Sequence, residues 1–213
     1  PCIIASAAYG SDLSPEIQFL RYFRDRLVLS TFAGGSFMNV FNNWYYSFSP
    51  SVASVVAVEP WLAAAVRAII IPLLGILHLT SITYAALSFI PEAAIVVAGL
   101  VASALIGAVY GSPFAAAILV SLRRRRGLAL KLGNLKILLI PWIATMALMV
   151  IAELTRSTVL MMTMTATLVL TTVGTSAVSV AILILNPGRL RLTVLSMLAR
   201  LSRTGVLLRR TVR

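Results

Sequence analysis

Carboxylates are scarce in this sequence. Asp and Glu number 6 among 213 residues, and charged residues of both signs make up 11% of the chain. An ordinary soluble domain is about a quarter charged, so this chain lacks the polar surface to cover a core in water. With one cysteine, Cys2, it has no intrachain disulfide framework and no multi-cysteine metal site. With one histidine, His78, and no carboxylate or cysteine beside it in sequence, no catalytic or metal-binding constellation is legible. No cofactor is expected.

Hydrocarbon fills the space that charge leaves. Hydrophobic residues make up 60% of the chain, and the mean hydropathy is +0.98. A chain of this size cannot bury that much apolar surface in water. The class expected is all-α and integral to a membrane, with four spans over residues 68–90, 93–122, 135–152 and 158–185. The plan is an amphipathic interfacial helical region over 1–60, a four-span bundle over 61–188, and a basic amphipathic helical tail over 189–213.

The first region has its own punctuation. Ser14-Pro15-Glu16 is a helix start, with a capping serine, a proline suited to the first position and an acid at the positive dipole end. Ile17, Leu20, Phe23 and Leu27 then recur at helical spacing, and Ala33-Gly34-Gly35 is expected to end that helix. Phe37, Phe41, Trp44, Tyr45, Tyr46 and Phe48 alternate with Asn39, Asn42 and Asn43, a mixture suited to the headgroup level. Ser49-Pro50 is expected to start another short helix, which Glu59-Pro60 breaks. This third of the chain reads as a bundle of short helices on the membrane surface.

The net charge of +12 distributes unevenly. Arg21, Arg24, Arg26 and Arg67 precede the first span, Arg123 to Arg126 with Lys131 and Lys136 follow the second, and the tail is arginine-rich. Arg156 alone stands between the third and fourth. The positive-inside rule then makes both termini cytoplasmic. Arg123, Arg124, Arg125, Arg126, Arg200 and Arg203 are expected to meet anionic lipid headgroups. No nucleic-acid motif accompanies the charge, so no nucleic-acid partner is expected.

Small residues mark the helix contacts. Gly99, Ser103, Gly107, Gly111 and Ala115 recur every four residues along the second span, and Thr163, Thr167, Thr171, Thr175 and Ser179 do so along the fourth. Apolar helices in lipid associate through close backbone approach and interhelical hydroxyl bonds, so both stripes read as packing seams. A hydroxyl-lined pore is the alternative. Against it, Glu92, Glu153 and Arg156 all sit at span ends, where Glu153 and Arg156 are expected to pair. His78 is expected to bond a backbone carbonyl freed by Pro72; a Cys2–His78 thiol dyad is the other option.

The opening run, "CIIASAAYGSDLSPEIQFLRYFRDRLVLSTFAGGSFMNVFNNWYYSFSPSVA", closely resembles the CFI-box module. The matching positions include Cys2, Ile4, Ala5, Tyr9, Gly10, Ser11, Pro15, Glu16, Phe23, Arg24, Asp25, Tyr45, Tyr46, Ser49 and Pro50, with Ile3 and Ser6 in place of the usual Phe and Thr. The resemblance covers about the first 55 residues, and the remainder looks like the hydrophobic tails of archaeal versions. It implies a C-terminal module of a longer, often envelope-associated protein, with no established reaction. An exported neighbour would want Pro1 outside, opposite to the charge count. The function expected is therefore a non-enzymatic membrane-anchoring or assembly module, partnered by membrane lipids and by a homo-oligomer or larger assembly. Cys2-dependent processing or attachment, with Tyr9, Gly10 and Ser11 in the motif, is one alternative; a small channel or carrier along the threonine seam is another.

Overall fold

The structure is a computed structural model, and it describes residues 2–126 and 136–185. Among these residues it is helical almost throughout, with no strand. Helix α1 covers Ile3–Tyr9, and α2 covers Pro15–Tyr22 and continues as a π-helical turn over Phe23–Val28. Helices α3 (Phe32–Val58) and α4 (Pro60–Ala86) follow. Next, α5 (Pro91–Ile106), a second π-turn (Gly107–Gly111) and α6 (Ser112–Arg126) form one continuous rod. Helices α7 (Lys136–Thr155) and α8 (Thr158–Leu185) complete the described chain.

Among the described residues, three helical stretches are long and apolar enough to cross a membrane: Pro60–Ala86, Pro91–Arg124 and Thr158–Leu185. A shorter apolar stretch, Trp142–Thr155, belongs to α7, where the sequence places a further span. The basic tail, with Arg200 and Arg203, lies outside the described residues.

The N-terminal third differs most from the sequence reading. Ala33-Gly34-Gly35 opens α3 rather than closing α2. Thr31 is the cap, its Oγ1 accepting from the Gly34 N–H at 3.1 Å. A Cβ on Gly34 would overlap the Val28 carbonyl and the capping hydroxyl, so the glycine marks a close approach and not a helix stop. Pro50 is likewise interior to a helix of 27 residues. It removes one backbone bond, yet the helix continues because Ser49, Ala53 and Val56 behind it are buried. Ser14 does occupy the N-cap of α2 in extended conformation, but its hydroxyl makes no capping bond. The first apolar span also starts earlier than residue 68, at Pro60 with Glu59 as cap residue, and ends at Ala86. The short surface bundle is therefore replaced by two small helices and one long one.

These elements pack onto the apolar helices. Ala8 with Val56 and Ala63 joins α1 to α3 and α4, while Ala5, Ile17 and Ile70 join α1, α2 and α4. Helix α8 contacts α3, α5, α6 and α7, around a core of Ala33, Ile95, Met149, Ala152, Met161 and Leu168. Ile17 is wholly buried at the joint of α1, α2 and α4. Replacing it with valine is expected to cost ~0.5–1.5 kcal/mol, read as a lower unfolding temperature in detergent.

Candidate functional site

The residues of the opening motif converge where α1 meets α2 and α3. Cys2 is half-buried and packs, as Leu20 and Leu74 do, against the Ala5–Ile17–Ile70 cluster. Burial pushes the Cys2 thiol pKa up from its ordinary value, and the nearby Arg24, which favours thiolate, does not offset it. The thiol is therefore held protonated at neutral pH, the opposite of what an activated nucleophile needs. The Tyr45 hydroxyl accepts from the Ile4 N–H at 3.1 Å and so satisfies one orphan donor of α1. Ser49, one turn beyond Tyr45, is fully buried.

Arg24 donates to Asp25 through Nε at 2.7 Å and Nη2 at 3.0 Å. The hydrogen bonds from Arg24 lower the Asp25 pKa, and those to Asp25 raise that of Arg24. Asp12 accepts from the Ser6 hydroxyl and pairs with Arg21 at 2.7 Å, and these contacts, the hydroxyl bond first, lower its pKa. Tyr9 packs beside Leu20, Gly10 closes α1 in the left-handed conformation (φ 68°), and the Ser11 hydroxyl accepts from the Leu13 N–H.

His78 is not the partner that the sequence reading gave it. Its ring stacks on Phe19, with centroids 3.8 Å apart and planes at 16°. Arg24, Arg21 and Asp25 act on the Cys2 thiol, and His78 is not among them. In the turn that precedes Pro72 it is Tyr110 that reaches the backbone, donating to the Ile69 carbonyl at 2.6 Å. Tyr110 lies in the second π-turn, so the proline of α4 and the distortion of the neighbouring rod meet at one contact.

The packing seam is real but only partly where the repeats placed it. A Cβ on Gly107 would collide with the Val173 backbone, and one on Gly111 would lie 2.7 Å from the Ala177 Cβ. Ser176 donates across the same contact to the Ala104 carbonyl at 2.6 Å. Ser103 is buried and donates to the Gly99 carbonyl, whereas a Cβ on Gly99 would meet nothing within 4 Å. Thr163 and Thr167 are exposed, and Thr163, Thr167, Thr171 and Thr175 each donate to the carbonyl four residues back. The buried hydroxyls of α8 are Thr165 and Thr172, and Thr172 accepts from Trp142 Nε1 at 3.0 Å. Each four-residue step advances about 40° around a helix, so a strict four-residue stripe spirals off any one face. The buried set Met161, Thr165, Leu168, Thr172 alternates steps of four and three and therefore stays on it.

The two ends of the helices differ. Arg123 and Arg124 end α6 with exposed side chains; the side chains of Arg125 and Arg126 lie outside the described set. At the other end, both carboxylate oxygens of Glu92 accept from the first N–H groups of α3, Phe32 at 2.7 Å and Ala33 at 3.2 Å. Arg156 lies over the Phe32 ring at 5.3 Å and pairs with Glu153 at 3.3 Å. The Glu153–Arg156 pair follows the sequence expectation; the reach of Glu92 to α3 does not, because nothing local links residues 60 apart.

The class defined by these observations is an all-α protein with, among the described residues, three helices long and apolar enough to cross a membrane. No family model matches the sequence, and neither a curated protein nor a solved structure matches it.

Proposed function

We propose that the chain is a non-enzymatic, multi-pass membrane module that anchors and assembles a protein in the bilayer, with both termini cytoplasmic. The observation that carries this reading is the contact of α5 and its π-turn with α8. There two apolar helices approach through glycine until only backbone fits between them. Outside that contact, Ile69, Ile71, Ile82, Phe114, Ile118 and Leu170 are exposed and suit hydrocarbon. Arg123 and Arg124 lie at the end of the rod, where anionic headgroups would meet them. The CFI-box resemblance and its archaeal setting are compatible with this role. The test is extraction of isolated membranes at alkaline pH. An anchored module stays in the pellet with intact mass equal to that of the unmodified polypeptide; release into the supernatant would sink the reading.

The state of the thiol favours this reading over attachment at Cys2. Because its pKa is raised, Cys2 is expected to react with iodoacetamide more slowly than a free cysteine at pH 8. The rate should climb only as pH passes above the ordinary thiol value. Mass spectrometry of the labelled chain follows the rate. Cys2→Ser is expected to leave insertion unchanged.

A further inference from the structure

We infer that α3 crosses the bilayer as a further span. The inference rests on the membrane reading above and extends it to the third of the chain that the sequence places on the membrane surface. A helix lying in the interface can touch only one end of a helix that crosses, and α3 is fixed at both ends. At its start, the Phe32 and Ala33 N–H groups donate to Glu92 in the first turn of α5, and Arg156, between α7 and α8, lies over the Phe32 ring. At its end, Val58 is followed by Glu59 and the first turn of α4. That turn lies far from Glu92, because α4 runs antiparallel to the rod: Tyr84 packs on the cluster of Ile95, and Ile69 meets Tyr110. Between its ends α3 packs along α8, and Ser49, Ala53 and Val56 are buried.

Length and charge agree with a crossing. The 27 residues of α3 extend about 40 Å, against a hydrocarbon core of about 30 Å. From Phe32 to Val58 there is no charged residue. Asparagines, serines and tyrosines lower the hydropathy of α3, which is why an apolar run does not mark it. The Ser47 and Ser54 hydroxyls donate to carbonyls three residues back and so need no water. The preceding arm accompanies α4 in steps. Ala8 packs with Ala63, Ile17 with Ile70, Phe19 stacks on His78, and Val28 joins the cluster of Tyr84. This arm carries charges, and those deepest along α4 are tied to each other: Arg24 holds Asp25, and Arg21 holds Asp12. Pairing is what charges beside an apolar span require. Arg26 stands near the Phe32 end, where a long side chain can reach the surface. The arm therefore leads the chain from the Pro60 end to the Glu92 end, and α3 brings it back.

The test places single cysteines in the full chain carrying Cys2→Ala. A membrane-impermeant maleimide is applied to intact cells and to inverted membrane vesicles. Ser88→Cys, between α4 and α5, and Ser121→Cys, near Arg123, are both at exposed positions and should label from opposite sides. Ser30→Cys, just before α3, should then label from the side of Ser88→Cys, and Val58→Cys, at the end of α3, from the side of Ser121→Cys. Leu29→Cys, also at an exposed position, repeats the measurement if Ser30→Cys does not fold. Any other pattern at the two ends of α3 overturns the crossing, labelling of both from one side above all, since that is the signature of a surface helix. The Ser88 and Ser121 variants separate the two failures. If they still label from opposite sides, only the crossing of α3 is lost; if they label from one side, the membrane reading is lost with it.

Discussion

Gly107→Leu is expected to be the most damaging single substitution in the described chain. The leucine Cβ would enter the Val173 backbone, which no rotamer change can move aside. Either α8 shifts outward along its contact with the rod or the π-turn unwinds. Overpacking of an interior commonly costs ~1–3 kcal/mol, and a clash with backbone belongs at the upper end or beyond. Displacement would also pull Ser176 from the Ala104 carbonyl, leaving a polar pair unsatisfied among apolar helices. The expected result is a large loss of monodisperse protein in detergent and a sharply lower unfolding temperature. Gly99→Leu, at a position with open space around the added carbon, should leave both nearly unchanged. Equal tolerance of the two substitutions would mean that the α5–α8 contact is not what holds the bundle.

Glu92→Ala is expected to be the second most damaging. Glu92 stands at the start of α5, yet its carboxylate serves α3, accepting two N–H groups that have no partner within their own helix. Hydrogen bonds to a charged group contribute ~1.5–3 kcal/mol, and the negative charge also sits at the positive end of the α3 dipole. Removing it frees both donors and unties α3 from α5 at the end where Arg156 lies over Phe32. Faster amide exchange confined to the first turn of α3, with a fall of ~2–3 kcal/mol in stability, is the expected outcome. Glu92→Gln keeps an acceptor and should recover part of the loss. If Glu92→Ala left the exchange of Phe32 and Ala33 unchanged, the capping role would be excluded.

The legible parts of this fold were those whose cause is local. The apolar length of residues 158–185 coincides with α8 because a run of that hydropathy has one stable form in lipid, a helix bonding its own backbone. Pro15 at the start of α2 and Glu59-Pro60 at the α3–α4 break were readable because proline acts through its own ring and missing donor. Gly34-Gly35 and Pro50 misled for a related reason. Each has a default local meaning, stop or start, and each is overridden by neighbours: Val28 and Thr31 pressing on Gly34, buried α3 residues carrying the helix through Pro50. The every-four stripes misled by geometry, since they rotate away from the seam they mark.

By itself, the sequence determined an all-α, membrane-compatible class and, to within a few residues, the positions of two long apolar helices, Pro91–Arg124 and Thr158–Leu185. Scarcity of charge and abundance of hydrocarbon act on every residue alike and need no partner to be counted. Tertiary structure alone decided that Tyr110 and not His78 reaches the backbone near Pro72, that Glu92 caps a helix begun sixty residues earlier, and that the Cys2 thiol is buried enough to stay protonated. It also decided that Thr165 and Thr172, not Thr163 and Thr167, face the interior. These outcomes depend on distances between segments far apart in the chain. Such distances are set by how side chains of different helices fit together, which no single helix encodes.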